Sequence, residues 1–591
     1  SAPPIHPDES AAMKHYSAFA IAREALRHHM GWPRAWASPE PKRKYDVIII
    51  GAGINGAGLF RELCEQGLRC LIVDQGDFGA GTSAAPSRLI HGGLKYLETA
   101  EFRLVAESTH ERNRLLRNAP HVVRPLPSML PAFSWLRGTG AALRTLFGAT
   151  NAPRSRGAVL VKIGLALYDF YGARDRVMPR HRLFSRRTAR RMIPALTERV
   201  TAAGLYYDAV VTAPERLVFE LIEDGLSAQP TSMACNWTPL RGRDDDCLVF
   251  DRPDGTRLAA RGRYVVNAAG PWIDAVNARL GEESAFIGGT KGSHILLDHD
   301  ELLRQLDGRM IYFEADDGRI CLVFPYNGRA LVGSTDIPAR DPDTVHCEDE
   351  EVEYFLESLR QLLPGLTFSS DQIIYRYSGI RPLPNSDSDM PGLISRDHST
   401  PLMAANDQRP FPILSLVGGK WTTFRAFAEQ VADRVLDTLQ QSRTRQTRDL
   451  PIGGGRGFPT EAAAWDKWLE ALEQRTGVPR ARLTVLADRY GTRAAAIAAH
   501  EAGTSTPAIA GAPDHTEAEI DWLVRNEQVE HLEDLVLRRT LLAITGRLTR
   551  AGLDQAAEIA ALALGWDRAR TSAEVDRCLD RLERAHAVRI R

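Results

Sequence analysis

The chain has 591 residues, 44% hydrophobic and 25% charged, with a formal net charge of -1. That length suggests several domains with ample core, and the balanced charge argues against a general nucleic-acid-binding role, which needs a basic surface field. Seven scattered cysteines form no CxxC pair, so neither a zinc knuckle nor a dithiol motif is supported, no metal is expected, and buried thiols in a reducing compartment fit best.

Residues 1–44 precede the first strand. Residues 14–29 have the pattern of a short helix, and the GWPRAWASPEPKRK stretch reads as an extended arm anchored by Trp32 and Trp36. Neither a hydrophobic signal core nor an apolar run long enough to span a bilayer is present in the sequence. Residues 45–74, YDVIIIGAGINGAGLFRELCEQGLRCLIVD, are the most informative segment. An apolar strand at 47–50 runs into Gly51, Gly53 and Gly56 at GxGxxG spacing. A helix and a second strand follow, and the unit ends on Asp74. Gly51 permits a tight turn, Gly53 lets backbone approach a pyrophosphate, and Gly56 lets the helix pack close to the sheet. Asp74 stands where a ribose-binding carboxylate is expected. The unit predicts a dinucleotide site, against the plainer reading of a glycine-tolerant βαβ corner.

Farther on, residues 102–117 predict a helix, and residues 132–191 mix apolar side chains with many arginines. That mixture fits a segment lying on a membrane or a helix packed on the domain with solvated arginines, and the sequence leaves both open. YVVNAAGPW reads as a strand entering a small-residue turn. Between 312 and 336 three alternating runs, with turns at Asp317-Gly318 and Asn327-Gly328, predict antiparallel hairpins that could wall a pocket. Residues 413–417 predict a buried strand running into Gly418, Gly419 and Lys420. PIGGGRGFP reads as a linker, and helical patterns follow, including a capping box at Thr516 and Glu519 and amphipathic runs at 532–544 and 554–566.

From residue 45 onward these motifs resemble the FAD-dependent glycerol-3-phosphate dehydrogenases, members of the amino-acid-oxidase-like flavoproteins. The resemblance is carried by GAGINGAG, SRLIHGGLKYLE, EFRLVAES, NAAGPW, TKGSHI, VGSTD, YSGIRPL, ISRD and GGKWTTFR, in that order. The arm at 1–44 instead resembles that of the β subunit of heterotetrameric sarcosine oxidases, which suggests a partner subunit or a homo-oligomer. The resemblance implies an α/β fold: an FAD-binding Rossmann-like domain interleaved with an antiparallel-sheet substrate domain over 45–447, then a C-terminal helical cap over 448–591.

It further implies FAD. The adenosine half would lie on Gly51, Gly53, Ile54, Asn55 and Gly56, with Asp74 at the ribose; Thr82, Ser83, His91, Gly92, Gly270, Gly418 and Gly419 would hold the rest. The substrate would be glycerol 3-phosphate, with Lys95, Tyr96, Arg396 and Lys420 at its phosphate. His294 would accept the hydroxyl proton and Arg381 would hold the C2 oxygen; Arg319 is a weaker candidate. Lys95 departs from the family's arginine; lysine keeps the charge and loses the planar fork. The resemblance also implies a quinone acceptor. Separately, the composition of 132–191 predicts peripheral attachment to the cytoplasmic membrane face through Trp135, Phe147 and nearby arginines, which would let quinone reach the flavin. The arm keeps an alternative alive, a flavin-dependent amine or amino-acid oxidase subunit. A flavin-binding scaffold without activity is a third reading.

Overall fold

The computed structural model describes residues 43–97, 101–135, 157–173, 177–315, 317–385, 398–503 and 506–590. The N-terminal arm with Trp32 and Trp36, the segment with Phe147, and Arg396 lie outside the described residues, as do the side chains of Lys95 and Tyr96.

The apolar run at the start of the glycine motif becomes the centre of a parallel sheet. Strand Arg43–Ile50 pairs with Cys70–Val73 on one side and Arg257–Asn267 on the other, with Ile48 opposite both Leu71 and Val265. Met233–Cys235 and Ile413–Ser415 extend the sheet outward in the same direction. Val47, Ile48 and Ile49 are fully buried because both faces are covered. One face packs on helices Ile54–Glu65, Pro214–Ala228 and Phe424–Thr438 through Phe60, Phe219 and Phe427. The other meets a smaller cluster around Phe250, Leu258 and Phe411.

The second sheet is almost wholly antiparallel. Met310–Glu314, Ile320–Tyr326 and Arg329–Gly333 form the expected meander. Asn327 and Gly328 both take positive φ, 48° and 80°, as a two-residue type I′ turn demands. Thr290–Leu297 lies between Arg329–Gly333 and Ile373–Arg381. Along these strands the side chains alternate. Ile295, Phe313, Val323 and Val332 pack on helix Asp349–Leu362, whereas Leu296, Leu322 and Phe324 face the C-terminal helices. Helices dominate from Ala462 on, apart from a short hairpin of Ala508–Ile509 with Ala512–Thr516.

Several local readings need correction. PIGGGRGFP is a packed junction: a Cβ at Gly454 would collide with the Tyr490 carbonyl, and one at Gly455 with that of Asn118. Thr516 does cap its helix, accepting from the Glu519 N–H at 3.1 Å. The Glu519 carboxylate, however, is held by Arg482, Arg489 and Tyr490. The run at 532–544 is not one amphipathic helix. One short α-helical stretch, Leu532–Asp534, passes into a π-helical turn, Leu535–Arg539, that buries Arg538 and Arg539.

Helix Ala158–Tyr171 has two faces. Val161, Leu165 and Tyr168 point inward. Val159, Ile163, Leu167 and Phe170 are exposed, Phe170 at 72%, and Trp135 is exposed beside the helix's N-terminal end, its carbonyl accepting from the Val159 N–H. No described helix is long and apolar enough to cross a membrane.

Candidate functional site

A cavity of about 1640 Å³ runs from the glycine turn to the second sheet. This exceeds the roughly 300–1,000 Å³ of ordinary small-ligand pockets and is roomy enough for a dinucleotide with a substrate. At its floor Gly51 has φ +105°, and a Cβ there would meet the Ala268 carbonyl oxygen at 2.5 Å. A Cβ on Gly56 would collide with the Gly51 carbonyl, so that glycine serves helix packing and does not itself line the cavity. Gly53, Ile54 and Asn55 open the helix toward the cavity, and the Ile54 N–H donates to Ser83 Oγ at 2.9 Å.

Asp74 accepts from the N–H groups of Ala52 (2.6 Å) and Gly76 (2.9 Å). Burial pushes its carboxyl up to about 6 despite those two bonds. A carboxylate offers about four acceptor sites, so capacity remains for ribose hydroxyls. Gly418 and Gly419 have φ of +78° and +90°, and Asn55 Nδ2 donates to the Gly418 carbonyl at 3.1 Å. Asn55 Oδ1 is buried without a hydrogen-bond partner among the described residues. Thr422 Oγ1 bridges the N–H and carbonyl of His91, both at 3.1 Å. The Gly92 N–H donates to Tyr168 Oη (2.7 Å) and Asp208 (3.1 Å), which fixes that loop from behind. Thr82 and Gly270 also line the cavity. This glycine floor, an orphan amide oxygen and an acceptor-rich carboxylate fit a dinucleotide cofactor.

At the other end, adjacent strands deliver His294 and Arg381. His294 stacks on Tyr377 with centroids 4.9 Å apart, and its Nε2 lies 2.8 Å from Ser87 Oγ. Burial, then the charges of Arg381 and Arg88, push the imidazole well below its ordinary range. Arg381 donates to Asp336 and to the Thr335 carbonyl, both at 3.1 Å. Glycines make room for both side chains: a Cβ on Gly292 would collide with the Arg381 guanidinium, and one on Gly333 with the His294 ring. Lys420 Nζ donates to Ser108 Oγ at 3.1 Å, and Lys420 lines the same cavity. Arg319 lines it too, ion-paired with Asp317 and set over Tyr354.

Sequence reasoning gave no role to Ser87, Arg88 or Tyr377. Arg88 is buried between Glu215 and the rings of Tyr326 and Tyr377. A signal existed for all three, since Ser87 and Arg88 open the SRLIHGGLKYLE motif and Tyr377 opens YSGIRPL, but nothing in periodicity marks a tyrosine as the platform under a histidine.

Residues 46–434 match the family model described as FAD dependent oxidoreductase, and residues 445–571 match the C-terminal domain of alpha-glycerophosphate oxidase. A glycerol-3-phosphate dehydrogenase of Synechocystis is 32% identical over 85% of this chain and 89% of its own. A D-erythritol 1-phosphate dehydrogenase of Brucella abortus is 29% identical over 84% and 94% respectively. The structure of the Bacillus halodurans glycerol-3-phosphate dehydrogenase complexed with FAD superposes with a TM-score of 0.69 at 21% identity, covering 92% of this chain and 95% of that one. That likeness is one of fold.

Proposed function

We propose, since this chain belongs to the family of FAD-dependent glycerol-3-phosphate dehydrogenases, that it oxidises sn-glycerol 3-phosphate to dihydroxyacetone phosphate and passes the electrons to a quinone. The observation that supports it is one continuous cavity, lined by the glycine turns and Asp74 and also by His294, Arg381 and Lys420.

FAD, when bound, supplies the hydride acceptor. The chain's own residues do the rest. Lys420, with Lys95, Tyr96 and Arg396, is assigned to the phosphate dianion. Arg381 holds the C2 oxygen and stabilises the charge that develops there. His294, kept neutral by burial and by the nearby guanidinium groups, takes the hydroxyl proton. Tyr377 and Ser87 fix the plane and direction of its ring.

Anaerobic mixing with glycerol 3-phosphate should bleach the flavin absorbance. Bleaching by sarcosine or dimethylglycine instead would overturn the reading in favour of an amine oxidase. Lys95 and the Brucella relative favour testing D-erythritol 1-phosphate in the same experiment, as a longer phosphorylated polyol.

For the route to a membrane quinone, we assign surface attachment to the outward stripe of Val159, Ile163, Leu167 and Phe170 with Trp135. Ile163→Glu with Phe170→Glu should abolish sedimentation with anionic liposomes, and equal partition would remove this face from the proposal. The N-terminal arm is assigned to contact with a second copy or a partner subunit. A monodisperse monomer by light scattering, with the full arm present, would rule out the second copy.

A further inference from the structure

The C-terminal helical domain grips the loop that follows Asp74 through one buried carboxylate. Asp77 follows the second parallel strand, three residues after Asp74, and is 0% exposed. It accepts from Arg538 Nε at 2.6 Å and from Arg539 Nη1 and Nη2 at 2.7 and 2.9 Å. Arg538 and Arg539 are consecutive residues. On an α-helix neighbours point about 100° apart, and it is the π-helical turn Leu535–Arg539 that brings both to one carboxylate.

A second contact lies beside the first. Asn236 Nδ2 donates to Asp77 at 2.9 Å and to the Gln528 carbonyl at 3.1 Å. Trp237, which lines the cavity with φ +50°, donates from Nε1 to Asp534 at 3.1 Å. Its ring lies under the Arg577 guanidinium, 4.8 Å from the centroid, and edge-on to His531. The two segments so held are bonded to each other: the Trp237 N–H donates to the Gly76 carbonyl at 2.8 Å and the Thr238 N–H to the Asp74 carbonyl at 2.6 Å. Together they border the Asp74 carboxylate. Arg577 also lies beyond the segment that matches the C-terminal family model.

We propose that the C-terminal domain is a clasp for the cofactor: Arg538 and Arg539 acting through Asp77, and Asp534 and Arg577 acting through Trp237, set how tightly the adenosine end of FAD is held. The proposal rests on the adenosine half lying at Asp74. Arg539, Asp77 and Asp534 do not line the cavity and are positioning residues, acting through the loops that meet the ligand; Arg538 and Arg577 reach the cavity wall themselves as well as holding those loops. Burial raises the Asp77 carboxyl, but Arg539 and Arg538 outweigh this and hold it well below its ordinary value, so the clasp stays charged. Asp74, by contrast, feels Arg538 as an attraction that favours its ionised form.

The test titrates full-length apoprotein with FAD, following flavin fluorescence. Trp237→Phe removes one hydrogen bond to a charged group, and Asp534→Asn removes the charge that accepts from Trp237, Arg538 and the N–H groups of Glu530 and His531; each should raise the FAD dissociation constant about tenfold or more. Leu553→Ala, in the core of the same domain but with no part in the clasp's hydrogen bonds and ion pairs, should leave that constant within about twofold of wild type even though it lowers the melting temperature. Backbone hydrogen exchange around 532–540 should slow when FAD binds wild type, by the reciprocity of linked sites. Unchanged affinity in both clasp variants, or an equal loss in Leu553→Ala, would overturn the clasp. Asp74→Asn separates the premise from the proposal. If it leaves FAD affinity intact, the adenosine placement is wrong; if it weakens binding while the clasp variants do not, only the clasp is.

Discussion

Ser87 Oγ lies 2.8 Å from His294 Nε2, beside the Tyr377 ring on which the imidazole stacks. A histidine held this way has one nitrogen committed and a fixed plane, which is what a positioned proton acceptor requires. His294→Asn should lower the rate of flavin reduction by about 10²–10⁴-fold with FAD still bound. Stopped-flow absorbance checks it. A rate within about threefold of wild type would return His294 to a packing role.

The acid limb of the pH profile follows from the same site. His294 acts when neutral, and its conjugate acid is destabilised by burial, Arg381 and Arg88. Activity should therefore persist well below the ordinary histidine range and fall only at lower pH. Removing the Arg381 charge with Arg381→Met should move that limb upward while weakening catalysis. A kcat/KM limb near the ordinary value of about 6.5 in wild type would contradict the assignment.

Asp74 titrates on a different axis. Its carboxyl is raised to about 6 in the folded protein, so the folded apoprotein binds a proton more readily than the unfolded chain. That contribution to apoprotein stability is fully present below about 3.9 and is lost as pH rises through about 6. FAD should reverse the sense, because ribose hydroxyls donate to the ionised form. FAD affinity should rise as pH passes up through about 6, and Asp74→Asn should flatten the curve.

Lys420→Ala should raise KM for glycerol 3-phosphate by about tenfold or more, the worth of one charge-assisted hydrogen bond, with smaller effect on a non-phosphorylated competitor. Lys95→Arg should lower KM if the bidentate fork improves phosphate binding. Steady-state kinetics at saturating acceptor measure both.

Gly292→Ala and Gly333→Ala should each cost about 1–3 kcal/mol of stability through overpacking and displace Arg381 or His294. The expected result is bound FAD with much reduced substrate oxidation. Retained turnover in both would show that the side chains find other positions.

The first βαβ unit was legible because its constraints are local: an apolar run, glycines at fixed offsets and a terminal acid. The meander at 310–333 was legible because alternation and an Asn-Gly turn encode it. The packing of Gly454 and Gly455 was not, since glycine composition looks the same in a slack tether as in a tight crossing of backbones. Nor was the π-helical turn at 535–539, whose arginines meet Asp77, more than 450 residues earlier in the chain. Ser87 and Tyr377 meet His294 only after three separate segments assemble, so spacing carries no trace of the trio. Gly292 and Gly333 were visible inside quoted motifs, yet their purpose is the shape of a neighbour's side chain.

The alternation along the second sheet divides labour between its two sides. Phe313 and Val323 answer to the helix behind them, whereas Tyr312 and Leu322 border the cavity. Drift in the latter pair can reshape the chamber for shorter or longer polyols while the scaffold stays untouched, so substrate range in this lineage can evolve by single steps from the one wall.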